Sequence, residues 1–369
     1  MVDRVFVHIG LPKTATSYLQ TIIWSNRDRL RLAGVVVPGS RRTDHLWASR
    51  EVREDPHQER APELHRTAWT RLQRELASSS GTGLLSHEFF AAASGRQARR
   101  LVTALADAEV HVVVTAREPL GLFTASWQES LKNGSTTPMA DYARRVSKSP
   151  TVIWNWRTLD LRLVLQRWSK AVPPERIHVL VLDPTAERDD IWRRFAALLD
   201  VDPDAFDLSE SFPNTSMGVA EAETLRRINT RLEGFNRAFD KGVYIRTFLA
   251  DERLVPRKGE KFWPEPDQVA ECRQRAVSAV SYLQEGGFDV SGRLEHLLVP
   301  DELEPRRRAA SVTDAEVAEV AVELAATMLG DVRALRTASR RPPPNGRRYV
   351  ERGRRAWRRL RTRLGRPRG

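Results

Sequence analysis

The strongest constraint on the fold is a set of short β-branched runs that alternate with helix-length segments. Val5–Ile9 is the first run and stops at Gly10; Val35–Val37 is the second and stops at Pro38-Gly39. Leu84–Ser86, Val110–Thr115 and Ile177–Leu182 follow. Between the first two, Thr16–Leu32 carries Leu19, Ile22, Ile23 and Leu30 at helical spacing. Helices are expected again near Ala61–Ala77 and Arg96–Ala106, from Pro119 to Leu131, and over Leu159–Lys170. Val110–Thr115 lacks the in–out alternation of a half-solvated strand, so both its faces must be covered. Strands that alternate with helices in this way form βαβ units, an α/β fold with a parallel sheet covered by helices on both faces.

Residues 41–60 are polar without a clear period and read as a loop or lid. From Ala220 onward the pattern is helical, with no strand. Thr313-x-x-Glu316 is a capping box that opens a helix with Val317, Val320, Leu324, Met328, Val332 and Leu335 on one face. Pro342–Pro344 then ends regular structure. The expected organisation is an α/β domain with a helical extension over 1–300, a C-terminal helix over 301–338, and a basic tail over 339–369.

Composition narrows the functional classes. A chain of 369 residues, 41% of them hydrophobic, can bury a sizeable core, which excludes wholesale disorder. No run reaches the roughly 18 apolar residues of a membrane span. Val5–Ile9 is too short for a secretory h-region, so the expected compartment is the cytoplasm. A single cysteine, Cys272, excludes an internal disulfide and a cysteine-rich zinc site. No His/Asp/Glu cluster has metal-ligand spacing, so no metal is expected. The net charge of +12 is confined to one end. Thirteen arginines and one acid lie between Arg340 and Gly369, so the body is close to neutral. A specific nucleic-acid reader is therefore not expected. Val350, Trp357, Leu360 and Leu364 can share a helical face amid those arginines, which suits peripheral contact with an anionic membrane surface.

The chemistry concentrates at the ends of the runs. After Gly10 comes Leu11-Pro-Lys-Thr-Ala-Thr-Ser17, a short loop with Lys13 and three hydroxyl residues leading into a helix. Backbone amides at a helix start favour an anion, Lys13 adds a point charge, and Thr14, Thr16 and Ser17 can donate further. The loop is not Walker A, because Lys13 lies three after Gly10 and no glycine directly precedes it.

This loop resembles the P-K-T-G-T-[TS] loop of sulfotransferases that use 3′-phosphoadenylyl sulfate (PAPS). The resemblance extends through Thr115-Ala-Arg-Glu-Pro119, Ser126-Trp-Gln-Glu129, Lys132-Asn133, Arg167-Trp168, Asn214-Thr-Ser216 and Gly287-Phe-Asp-Val290. It is strongest toward bacterial, especially actinobacterial, sulfotransferase-like proteins. It implies a P-loop-kinase-like α/β sheet and PAPS as sulfate donor, with adenosine 3′,5′-bisphosphate as product. By the same resemblance Lys13 meets the oxygen bridging phosphate and sulfate, and Thr14, Ala15, Thr16 and Ser17 hold the 5′-phosphate. Ala15 replaces the usual glycine; a helical conformation at that position accommodates it and is the expectation.

The resemblance also places Arg117 and a following serine on the 3′-phosphate, for which the planar guanidinium fork is suited. The family's serine spacing falls on Ala125, with Thr124 and Ser126 on either side; Ser126 is the choice and Thr124 the reserve. Leu84-Leu-Ser-His-Glu88 ends a strand where ligands of open α/β sheets gather. It offers a base for sulfuryl transfer: Glu88 first, His87 second, with His45 as a remaining candidate. His8 reads as a core histidine, and most of Trp127, Trp154, Trp156 and Trp168 as packing. The expected acceptor is a small molecule or glycan: a carbohydrate, glycolipid or secondary metabolite. Two competing readings are a kinase with an atypical phosphate loop and a non-catalytic nucleotide binder of the same fold.

Overall fold

Each β-branched run forms a strand, and every strand of the main sheet runs in the same direction. A computed structural model describes residues 2–209 and 216–340. Arg4–Gly10 (β1), Val35–Val36 (β2), Thr82–Ser86 (β3), Glu109–Ala116 (β4) and Ile177–Val181 (β5) pair in parallel in the order β2-β3-β1-β4-β5. β1 is central, with Val5 opposite Gly83 of β3 and Val110 of β4. From Val5 to Gly10 every residue of β1 is buried, as a strand covered on both faces requires.

The two faces bury different partners. On one, Phe6, Leu84, Val113 and Leu180 pack with Leu19, Ile22 and Ile23 of the helix Thr16–Ser25 and with Trp192 and Phe195 of the helix Asp190–Leu198. Gly83 precedes Leu84 and faces the other way. There the helix Ala68–Ala77 lies so close that a Cβ on Gly83 would stand 2.6 Å from Leu76 Cδ2. Chain crossovers of this kind leave the carboxyl ends of β3, β1 and β4 side by side.

Two expectations are corrected. Residues 41–60 are not a loop: Arg42–Val52 is a helix, followed by a short 3₁₀ turn over Pro56–Arg60. Asp44 starts that helix by accepting from the backbone amides of Ser40 and Arg41 at 2.8 and 3.1 Å. Its buried face is Asp44, His45 and Ser49, polar groups satisfied by hydrogen bonds, with Ala48 the one apolar member, so apolar periodicity carries no trace of it.

The second correction concerns strands after Ala220. Phe262–Trp263 (β6) and Arg307–Arg308 (β8) pair with each other, and Asp289–Ser291 (β7) adds a sixth strand beside β5. These strands are two or three residues long, too short to show a period, and β7 is bracketed by Gly287 and Gly292 at positive φ. Asp289 Oδ2 lies 2.5 Å from His178 Nδ1 and fastens the edge strand to its neighbour.

The chain divides into a unit over 1–313 and a second unit that begins with the helix Asp314–Arg340. Of the apolar face expected on that helix, Met328, Val332 and Leu335 are exposed. Among the described residues no helix is long and apolar enough to cross a membrane. The arginine-rich segment 341–369 lies outside the described residues.

Candidate active site

The phosphate-loop candidate is a tight cradle at the end of β1. Gly10 has φ 99°, and a Cβ there would stand 2.9 Å from Glu88 Cβ, so only glycine lets the β1 and β3 ends approach this closely. Lys13 and Ala15 both have positive φ, 66° and 61°, while Thr14 between them does not. Such alternation turns successive amides toward one concavity. The helical conformation expected for Ala15 is therefore corrected: Ala15 is left-handed and serves as the N-cap of the helix Thr16–Ser25. Alanine is a poor cap, no side chain caps this end, and no acid lies in the first turn. Uncapped amides, a positive dipole end and a neighbouring lysine fit a phosphate group.

A directed chain of hydrogen bonds holds the loop. Thr14 Oγ1 donates to Leu11 O at 2.5 Å, so the proton in its 2.7 Å contact with Thr115 Oγ1 comes from Thr115. Thr115 Oγ1 then accepts from His8 Nε2 at 3.4 Å, and His8 Nδ1 accepts from Ser86 Oγ at 2.8 Å. Burial pushes His8 down to about 4, consistent with this neutral, doubly bonded ring. Leu11 N also donates to Thr115 O at 2.7 Å. Thr14 is thus committed to holding the loop, and its hydroxyl is turned from the cradle that the resemblance assigned it. Thr16 is buried as well, whereas Ser17 and Lys13 are exposed on the loop.

Glu88 and His87 occupy the neighbouring strand end in different roles. His87 N donates to His8 O at 3.0 Å, and His87 Nδ1 accepts from Phe89 N at 3.1 Å. Burial holds His87 down to about 4, so the ring is neutral and one of its nitrogens is already used. Glu88 Oε2 accepts from Gln20 Nε2 at 3.0 Å. Gln20 Oε1 in turn accepts from Arg42 Nε at 3.1 Å and Nη2 at 2.7 Å, which fixes the amide's orientation. Burial raises the Glu88 carboxyl, but His87, a backbone amide, Gln20 and Arg42 outweigh it and hold it below the usual carboxylate range. Glu88 is an ionised carboxylate beside the cradle. His45 is withdrawn as a candidate: it is buried, with Nε2 on Pro38 O and Nδ1 on Ser86 N.

Arg117 stands at the end of β4, half exposed, with Nη2 donating to Glu118 Oε1 at 3.0 Å. Its guanidinium covers Gly121, where a Cβ would lie 2.4 Å from Nη2. On the helix Pro119–Lys132, the residues that continue this face are Thr124 and Ala125, both partly exposed. Ser126 is corrected: it is fully buried, and its Oγ lies 2.7 Å from Tyr142 Oη. One position of helical rotation, about 100°, separates it from the Arg117 face.

Of the other candidates, Trp127, Trp156 and Trp168 are fully buried, and Trp154 stands edge-on to Phe89. Asn214 lies outside the described residues. Sequence reading passed over Gln20, Arg42, Glu129 and Arg246. Lys13 Nζ lies 3.2 Å from Glu129 Oε2, and Arg246 pairs with the other oxygen. The available signal was that Glu129 and Lys132 are the only charged residues of the helix Pro119–Lys132. Among the described residues no group of three His, Cys, Asp or Glu is gathered as metal ligands would be.

No family model matches the chain, and no curated relative matches it. Among solved structures it is similar to the sulfotransferase from Alicyclobacillus acidocaldarius, at 16% identity and a TM-score of 0.38, over 56% of this chain and 85% of that one.

The left-handed Ala15 yields a signed expectation. A positive φ costs an L-residue roughly 1–2 kcal/mol, and glycine forgoes about 0.4–1 of that through unfolded-chain entropy. Ala15→Gly should therefore raise the denaturant midpoint slightly, and Ala15→Val should lower it; equal losses in both would contradict the assigned conformation. Arg117→Ala should weaken binding of adenosine 3′,5′-bisphosphate far more than that of adenosine 5′-phosphate in calorimetry. Equal losses for the two ligands would remove Arg117 from 3′-phosphate recognition.

Proposed function

We propose that the chain is a sulfotransferase that takes a sulfuryl group from PAPS and delivers it to an acceptor hydroxyl on a small molecule or glycan. The observation that carries this reading is the meeting of an uncapped helix start, Lys13, and the ionised Glu88 at adjacent strand ends. An anion cradle alone suits any nucleotide. A partly exposed carboxylate set against that cradle adds what hydroxyl attack needs, a group that takes the proton.

PAPS supplies a sulfuryl group on a phosphate leaving group. The amides of residues 13–17 would hold its 5′-phosphate, Lys13 would face the bridging oxygen, and Arg117 the 3′-phosphate. As the acceptor oxygen bonds to sulfur, the bond from sulfur to the bridging oxygen breaks. The hydroxyl proton passes to Glu88, and negative charge grows on the departing phosphate opposite Lys13. Gln20 and Arg42 keep one Glu88 oxygen occupied, which aims the proton at the other.

The Thr14 hydroxyl separates this site from a kinase's. A kinase would place a catalytic magnesium by a hydroxyl that directly follows its lysine. Here that residue, Thr14, donates to Leu11 O in the interior. A non-catalytic binder remains separable by turnover.

Incubating the full-length protein with sulfate-labelled PAPS and a cell extract should label an acceptor, and Glu88→Gln should lower that turnover by roughly 10²–10⁴-fold with nucleotide affinity held. Because the Glu88 carboxyl is depressed, it stays ionised as pH falls, so kcat/KM should persist down to the ordinary glutamate value of about 4.3 and decline only below it. An acid limb near about pH 6.5 would report an ordinary histidine instead. No labelled product from any extract would leave nucleotide binding as the function.

A further inference from the structure

Lys13 has a partner besides any ligand. Its Nζ lies 3.2 Å from Glu129 Oε2, with the lysine side chain 36% exposed and the glutamate 7%. Glu129 Oε1 accepts from Arg246. Arg246 belongs to the segment Lys241–Leu254, which winds as a π-helix, a geometry that recurs at functional sites. From the next turn of the 119–132 helix, Lys132 Nζ meets Asp251 of the same segment at 2.5 Å. The two pairs fix the segment to the helix that carries Glu129.

A carboxylate shared by two cations can release one and remain compensated. Burial raises the Glu129 carboxyl, yet Lys13, Arg246 and Lys132 outweigh it and hold it below the usual carboxylate range. Glu129 therefore stays anionic at neutral pH, and a phosphate in the cradle competes with it for the same ammonium. When Lys13 turns to the phosphate, Arg246 still neutralises Glu129, and no buried charge is stranded.

We propose that Glu129 is a positioning residue that holds the Lys13 ammonium back from the phosphate cradle, with Arg246 setting how firmly it does so. Arg246 draws the carboxylate's charge toward itself and weakens its grip on Lys13. The π-helical segment is thereby coupled to donor affinity through Glu129. This inference rests on the donor-binding reading of the loop.

The two partners predict opposite signs, which a loss of folding does not. Calorimetry on the full-length protein with adenosine 3′,5′-bisphosphate should find Glu129→Gln tighter by about three- to ten-fold, because a partly buried ion pair no longer has to be broken. Arg246→Met should bind more weakly by a similar factor, because Glu129 then has Lys13 as its principal partner. In a Lys13→Ala background both effects should shrink below about two-fold, as a double-mutant cycle requires of coupled residues. Melting temperatures taken in parallel identify any variant that fails to fold, and Glu129→Ala then replaces Glu129→Gln in the cycle. Wild-type binding with no tightening in the Glu129 variant, or tightening undiminished without Lys13, would overturn the inference alone. Failure of the wild type to bind the bisphosphate would overturn the donor-binding reading and this inference with it.

Discussion

Thr14 ties the phosphate-loop candidate to the strand beside it, and the geometry of the site follows from that tie. Its proton goes to Leu11 O, which obliges Thr115 to donate to it, His8 to donate to Thr115, and Ser86 to donate to His8. The chain crosses β3, β1 and β4 and ends in the loop. Each member has one proton to give, so the direction of every bond is determined by the last. The result is a loop backbone fixed relative to two neighbouring strand ends, with the cradle side left to backbone amides. Preorganisation of this kind is what an anion site needs, since the donors do not have to reorganise when charge arrives.

Charge around the cradle is arranged in two compensated sets. On one side Arg42, through Gln20, supports the ionised Glu88. On the other, Glu129 is shared between Lys13 and Arg246, with Lys132 and Asp251 alongside. Isolated, Glu88 and Glu129 would shift toward their neutral forms, because burial raises both carboxyls. Paired, both carboxylates stay anionic at neutral pH, beside a cradle that also carries Lys13. The helix Pro119–Lys132 links the sets to the third strand end: it starts under Arg117, and its last turns carry Glu129 and Lys132.

Much of the sheet is legible in the sequence because a parallel strand covered on both faces is a local signal. Val5–Ile9 and Val110–Thr115 are mostly β-branched, and Gly10 and Pro119 punctuate their ends. The helix Arg42–Val52 left no such signal, since its buried face is Asp44, His45, Ala48 and Ser49, held by hydrogen bonds and not by apolar contact. Strand β7 left none because three residues cannot display a period. Ser126 illustrates a finer failure: spacing counts residues, but a helix turns about 100° per residue, and one position decides between solvent and the Tyr142 hydroxyl.

The sequence by itself determined the five strands β1 to β5 of the main sheet, that a loop with Lys13 ends one of them, and that Glu88 and Arg117 stand at the ends of two others. These are properties of short contiguous segments, where residue type and order dictate local conformation. Only the tertiary structure decided that Ala15 is left-handed, that Thr14 faces inward, and that Lys13 is held by Glu129, 116 residues away. Such choices depend on which side chains meet across the fold. Polar partners distant in sequence leave no periodic mark, because a hydrogen bond or ion pair needs only one correctly placed atom on each side.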